Sequence, residues 1–353
     1  DILFYSRYGS FVIELDGDPF TAEKVIGTTT DSYTIDCKDY VVDMADLQNA
    51  WEDKLEPVFP CNIKTESKPA KIYTYTAHDT VQHASAFAKP KVLIPVFPGT
   101  NCEYDTARVF ERAGAVPEVV VIKNLSASAL EDSVKYVQKA IKKSQIIMIP
   151  GGFSGGDEPD GSGKFITAFF RNPSIKEAVT DLLENRDGLM LGICNGFQAL
   201  IKLGLVPFGK IVDMTDDSPT LTFNTIARHQ SMMVSTRIAS NKSPWLAGCE
   251  VGDIHKIAIS HGEGRFIASP ELIKQLADNG QIATQYVDLD GSPSMDIRFN
   301  PNSSFDAIEG ITSPDGRVLG KMGHSERIGT DICKNVPGNK DQKIFESGVA
   351  YFK

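Results

Sequence analysis

The 353-residue sequence has no C-x-x-C pair, no H-x-x-x-H pair and no cluster that mixes the two residue types. Its six cysteines, Cys37, Cys61, Cys102, Cys194, Cys249 and Cys333, are scattered along the chain. In a chain of this length that reads as reduced thiols of a cytoplasmic protein rather than a disulfide framework. The spacing of the six histidines argues against a structural zinc site of the usual kind, and no metal is expected. Positive charge is also scarce, with 36 Lys and Arg against 46 Asp and Glu, a net charge of −10. That balance argues against nucleic acid as a partner. No apolar run is long enough to span a membrane, the start shows no signal-peptide pattern, and no internal repeat or low-complexity segment appears. The chain begins at Asp1 rather than Met, as a piece of a longer polypeptide would.

Hydrophobic residues make up 41% of the chain, enough to bury a large core, and the length accommodates two domains. Residues 1–60 hold short strand-like runs ("SFVIEL", "KVIGTT", "SYTID", "YVVDM") and one helical stretch, "MADLQNAWEDKLEPVF". This is a small α+β piece. Residues 61–90 are polar and weakly patterned and read as a linker. From Lys91 the pattern becomes regular. Apolar strand-length runs ("KVLIPVF", "PEVVVIK", "QIIMIP", "LMLGI") alternate with segments whose apolar residues recur at helical spacing. That alternation predicts a parallel sheet covered by helices on both faces, an α/β domain over 91–353. After Gly209 the chain turns strand-rich, with hairpin-type turns.

The fourth run ends in "GICNG". Cys194 stands between two glycines where a strand is predicted to turn into a helix. This is the pattern of a nucleophile elbow, which lifts the sulfur toward the crevice at the strand ends and sets it at a helix N-terminus, where the thiolate is favoured. A buried structural cysteine would not require the flanking glycines. The loop after the third run, "PGGFSGGDEPDGSG", brings backbone N–H groups to the same edge. Those of Gly152 or Phe153, with that of Asn195, are candidates to hold a developing oxyanion. A phosphate loop is the rival, but no lysine stands at the position such a loop needs. Two histidines have a carboxylate two residues on, His261 with Glu263 and His324 with Glu326. Either pair suits a base and its orienter, and spacing does not choose between them.

With these motifs in view, residues 91–353 resemble the class I, or triad, glutamine amidotransferase domain that ends the large single-chain form of phosphoribosylformylglycinamidine synthase. The resemblance rests on "FPGTNCEYDTA", "PGGFSGGD", "GICNGFQAL", "SHGEGRF", "NPNSS" and "DGRVLGKMGHSERI". Residues 1–60 are more loosely similar to the tail of a synthetase region. The resemblance implies a flavodoxin-like sheet and a Cys194–His324–Glu326 triad that hydrolyses glutamine. It also implies a synthetase region, in the same polypeptide or complex, that uses ATP and Mg to amidate formylglycinamide ribonucleotide with the ammonia. No cofactor is implied in this chain. Asn101, Ser154, Asp157, Gln198, His261, Glu263 and Arg265 are implied at the glutamine pocket or the face toward the synthetase. One departure stands out: Gly155 occupies a place where the family usually has an aromatic residue. A related cysteine hydrolase and a non-catalytic docking domain are the alternatives. The first would take its histidine from soon after the elbow, yet the next one is His229.

Overall fold

Apolar runs of strand length, separated by amphipathic helices, pair side by side from Lys91 onward. The computed structural model describes residues 8–16, 25–60, 63, 69–77, 83–155 and 161–353, and divides the chain into two compact units, Asp1–Asn62 and Ile63–Lys353.

In the first unit, β1 (Thr34–Cys37) and β2 (Tyr40–Asp43) form an antiparallel hairpin, with Cys37 opposite Tyr40. Helix α1 (Met44–Glu52) follows at once, its first turn capped by the Asp43 side chain on the Ala45 N–H at 2.7 Å. This is the ordinary way an aspartate satisfies an orphan donor at a helix start. The described parts of "SFVIEL" and "KVIGTT", expected as strands, take no strand structure. No residue of α1 is buried.

The second unit is built on a nine-stranded sheet. Its parallel part comprises β3 (Lys91–Val96), β4 (Val116–Val121), β5 (Ile146–Ile149), β6 (Leu189–Ile193) and β13 (Val318–Lys321), in the spatial order β4-β3-β5-β6-β13. This is the flavodoxin-like α/β order, the sheet type that the family resemblance implies. The sheet continues antiparallel through β12 (Ile308–Thr312), β11 (Ile282–Val287), β8 (Gln230–Ile238) and β9 (Ile254–His261). A separate two-stranded pair joins β7 (Thr220–Thr222) to β10 (Arg265–Ile267).

Helices α2 (Glu103–Arg112), α3 (Ala127–Ile141), α4 (Lys164–Phe170) and α5 (Pro173–Glu184) bury one apolar face each, for example Val137 and Ile141 on α3 and Ile175, Val179 and Leu182 on α5. Each such side chain removed from water contributes about 1.5–3 kcal/mol. Helix α6 (Asn195–Leu203) differs, since all its residues but Lys202 are buried. It follows Cys194 directly and runs through the middle of the core.

Residues 61–90 read in the sequence as a linker. Their described portions lie within the second unit and bond to the rest of it. The Tyr73 and Tyr75 N–H groups donate to Gln285 Oε1 (3.0 Å) and Ala239 O (2.9 Å), and the His83 and Phe87 N–H groups to Tyr351 O and Phe352 O. Backbone bonds and a few rings make this contact, so no amphipathic period announces it. Among the described residues no helix is long and apolar enough to cross a membrane.

Candidate active site

The elbow forms because three backbones meet with no room for side chains. Cys194 itself holds φ 53° and ψ −107°, an unfavourable conformation for a residue with a Cβ. A Cβ on Gly196 would stand 2.0 Å from Ile149 O, and one on Gly192 would stand 2.6 Å from Leu200 Cδ1. The glycines therefore allow the first turn of α6 to lie directly on β5 and β6. The Cys194 N–H donates to Lys321 O at 2.9 Å, which ties the turn to β13. The sulfur is almost wholly buried and lies 3.9 Å from Ser260 O, at the end of β9.

His324 reaches the same edge through register. In the parallel pair, Lys321 of β13 stands beside Ile193 of β6, so the two chains leave the sheet together. A buried ion pair then fixes the path of the chain from β13 to the histidine. Lys321 Nζ lies 3.3 Å from Glu309 Oε1. Lys321 also donates to Gly323 O (2.9 Å) and Ser325 Oγ (3.0 Å), while Glu309 accepts the Gly323 N–H (2.6 Å). Both ends of the Gly323 residue are thus held just before the histidine. The His324 N–H donates to Ala258 O, and its Nδ1 lies 2.6 Å from Glu326 Oε1. That bond directs Nε2, which is buried and has no partner of its own, away from the carboxylate. A Cβ on Gly151 would be 2.7 Å from His324 Cε1, 3.3 Å from Cys102 Sγ and 3.4 Å from Cys194 Cβ, so the ring and the cysteine border one space that only a glycine leaves open.

The electrostatics agree with this geometry. Burial pushes the Cys194 thiol up, but His324 and His261 outweigh burial and lower it from 9.0 to about 6. Burial works against the charged form of His324, yet Glu326 and the Cys194 thiolate raise its pKa well above the usual imidazole range. Burial likewise opposes the Glu326 carboxylate, and His324 prevails and holds it low. The set favours a thiolate–imidazolium pair backed by a carboxylate.

Cys102 was not singled out from the sequence, although it lies in the quoted "FPGTNCEYDTA". Its sulfur is 3.8 Å from His324 Nδ1, accepts from Arg327 Nη2 at 3.2 Å and donates to Asn101 Oδ1 at 3.0 Å. The remaining sequence candidates distribute unevenly. The Phe153 N–H is committed to Gly99 O at 2.9 Å, whereas Gly152 sits at φ 146° against Thr100, where a Cβ would be 2.5 Å from Gly99 O. Asn195 binds two neighbours: its Oδ1 accepts the Ser154 N–H and its Nδ2 donates to Gln198 Oε1. Gln198 Nε2 donates to Glu263 O, and Glu263 Oε2 accepts the Ser162 N–H. Among the described residues, Ser154 Oγ and Glu263 Oε1 are buried without partners. Arg265 is turned to its surroundings, donating to Ser303 O and lying over the Phe305 ring. Asp157 lies outside the described residues. Gly155, the departure from the family pattern, takes φ 72°, and a Cβ there would stand 3.1 Å from Phe165 Cβ.

Two groups among the described residues bring three metal-ligating side chains together: Cys102, His324 and Glu326 at the site, and Cys249, Asp253 and His255 away from it. In the first, His324 and Glu326 already bond each other. In the second, the Cys249 thiol donates to Gln342 O, and burial with nearby aspartates pushes it up to about 12.

Residues 89–352 match the family of CobB/CobQ-like glutamine amidotransferase domains. The chain is 37% identical over 241 residues to phosphoribosylformylglycinamidine synthase subunit PurQ of Methanococcus maripaludis strain C7, covering 67% of this chain and 82% of the relative. It is 31% identical over 253 residues to the PurQ subunit of Aquifex aeolicus, covering 70% and 95%. A solved structure described as PurLQS from Thermotoga maritima superposes with a TM-score of 0.54 at 25% identity, over 75% of this chain and all of that one.

Proposed function

Since the chain belongs to the CobB/CobQ-like glutamine amidotransferase family, we propose that it is the glutaminase part of phosphoribosylformylglycinamidine synthase, acting in the cytoplasm in purine biosynthesis. The observation that carries this reading is the arrangement at one sheet edge of Cys194 on its elbow, His324 across the Gly151 gap and Glu326 on the far imidazole nitrogen. Cys194 thiolate attacks the side-chain amide carbon of glutamine. The oxyanion is held by the Gly152 and Asn195 N–H groups, each such donor contributing about 3 kcal/mol in the transition state. Of the two loop donors considered from sequence, Gly152 is preferred because the Phe153 N–H is already committed. His324 gives its Nε2 proton to the leaving nitrogen, which departs as ammonia. His324 then takes a proton from water, the hydroxide splits the thioester, and glutamate leaves with Cys194 restored as thiolate. Glu326 orients the imidazole and stabilises its cation.

The ammonia goes to a synthetase region that binds ATP and Mg and amidates formylglycinamide ribonucleotide. The relatives are named as separate subunits, and residues 1–62 lie outside the matched span. Whether the synthetase is fused or separate is read from the mass of the native polypeptide: a value far above 38.5 kDa means fusion. The glutaminase assignment is tested by glutamate release from glutamine in the complete complex. Cys194→Ala is expected to abolish it, and near wild-type release by that variant would refute the assignment.

A further inference from the structure

A second imidazole follows directly on the backbone that meets this sulfur. Strand β9 ends at His261, whose preceding carbonyl, Ser260 O, is the one 3.9 Å from Cys194 Sγ. His261 is buried, and its Nε2 lies 2.9 Å from Asn302 Oδ1. Asn302 Nδ2 lies 2.8 Å from the Tyr286 hydroxyl, and both of these residues are completely buried. The other ring nitrogen, Nδ1, is buried with no partner of its own. The ring cannot easily swing away on its outer side: a Cβ on Gly264 would stand 2.4 Å from His261 Cδ2 and Nε2 and 2.6 Å from Asn302 Nδ2. A histidine that served packing alone would not bury an unsatisfied nitrogen beside a nucleophile.

The partners allow that nitrogen to be a donor or an acceptor. An amide offers a carbonyl on one side and an NH2 on the other, and a hydroxyl does both. When Asn302 Oδ1 faces the ring, Nε2 carries the proton and the Nδ1 lone pair can accept from a Cys194 S–H. With the amide reversed, Tyr286 O–H donates to Oδ1, Nδ2–H donates to Nε2, and Nδ1–H donates to a Cys194 thiolate. Each direction is a continuous chain, and the charge on sulfur selects between them.

We infer that His261, aligned by Asn302 and Tyr286, is a further catalytic residue of the proposed glutaminase: a second N–H donor to the Cys194 sulfur that keeps it ionised in the resting enzyme and receives it as leaving group when the thioester is split. This rests on the glutaminase reading for its purpose but not for its geometry. His261 neither gains nor loses a proton over the cycle; it exchanges which nitrogen holds one. Asn302 and Tyr286 act through it and are positioning residues. The other groups that face this pair are His324 with Glu326, Cys102 and Arg327 from the loops at the sheet edge, Glu309 from β12, and His229, whose Nε2 lies 3.0 Å from Ser260 Oγ. The direction in which His261 moves the thiol agrees with the proposal.

The test is the pH dependence of Cys194 alkylation by iodoacetamide, followed by peptide mass spectrometry on the intact complex, which reads the thiolate without requiring turnover. The wild-type midpoint is expected at about 6. His261→Gln should raise it by about one unit, so that alkylation at that pH slows about fivefold. Asn302→Leu should raise it in the same sense, while Asn302→Asp, whose carboxylate accepts from Nε2–H and so holds the ring as an imidazolium with Nδ1–H on the thiolate, should keep it low. An unchanged midpoint in His261→Gln overturns the inference. If that variant does not fold, equal midpoints in Asn302→Leu and Asn302→Asp overturn it. A midpoint shift in a protein that releases no glutamate would sustain the inference about the sulfur and sink the glutaminase reading instead.

Discussion

The parallel and antiparallel parts of one sheet bury different kinds of residue. In β5 and β6 every side chain is apolar and every residue buried, "IIMI" and "LMLGI". In the antiparallel part, equally deep positions hold Thr284, Gln285 and Tyr286 on β11, Glu309 on β12, and Asn300, Asn302 and Ser304 in the segment between these two strands. Apolar burial builds a frame that carries one thiol to its edge. Buried polar groups need partners in fixed directions, and here those directions hold two imidazoles, His324 through Glu326 and His261 through Asn302. Strand β13 is the seam, since it pairs parallel with β6 and antiparallel with β12. Its Lys321 belongs to the polar network, yet its register is set by the apolar frame.

Substitutions can sharpen this division. The largest effect is expected at the seam itself. Cys194→Ala and His324→Ala should each lower glutamine turnover by about 10⁶, and the double variant should be scarcely worse than either, because the set acts as a unit. A sum of the two losses would mean the residues work independently. Next is Lys321→Met, which leaves Glu309 buried without its cation and should cost about 3–5 kcal/mol of stability in urea unfolding. Ile147→Val, a methylene lost from the apolar frame at a fully buried position, should cost only about 0.5–1.5 kcal/mol and leave turnover unchanged.

The pH profile separates the halves again. Because the Cys194 thiol is lowered to about 6, its ionised form is present above that value, and kcat/KM should fall about tenfold per unit as pH drops below it. His324 carries the opposite sign for stability. Its pKa is raised on folding, so its contribution is complete below the usual imidazole pKa and is lost as pH rises through the raised value. A profile with its acid limb near the ordinary thiol value would show that the polar half does not act on the sulfur. The smallest effect belongs far from both halves: Asp213→Asn removes an exposed partner of Arg171 and should change stability by less than about 1 kcal/mol.

The frame was legible in the sequence because its strands are continuous apolar runs between amphipathic helices, and "GICNG" marked the elbow through glycines whose Cβ atoms have no room. The network was much less so. Glu309 and Lys321 are charged residues that a sequence reading places in solvent, and only their mutual position explains their burial. The His324–Glu326 pair was visible as a spacing but was chosen over His261–Glu263 by family resemblance. In the structure Glu326 bonds its own histidine, whereas Glu263 accepts from Ser162 and leaves His261 to Asn302, 41 residues away in sequence. Such a pairing has no local signature. Of the short strands expected near the start, "SYTID" and "YVVDM" overlap β1 and β2, which pair with each other, while "SFVIEL" and the described part of "KVIGTT" take no strand structure, because alternation within a few residues does not supply a partner edge.

The proposed mechanism turns on Cys194 being the one sulfur that meets glutamine. Incubation of the complete complex with a glutamine-derived chloroketone, followed by peptide mapping, tests this directly. Modification confined to Cys194 and prevented by glutamine is the predicted result, whereas labelling at Cys102 instead, or labelling of Cys194 that glutamine does not slow, would contradict it.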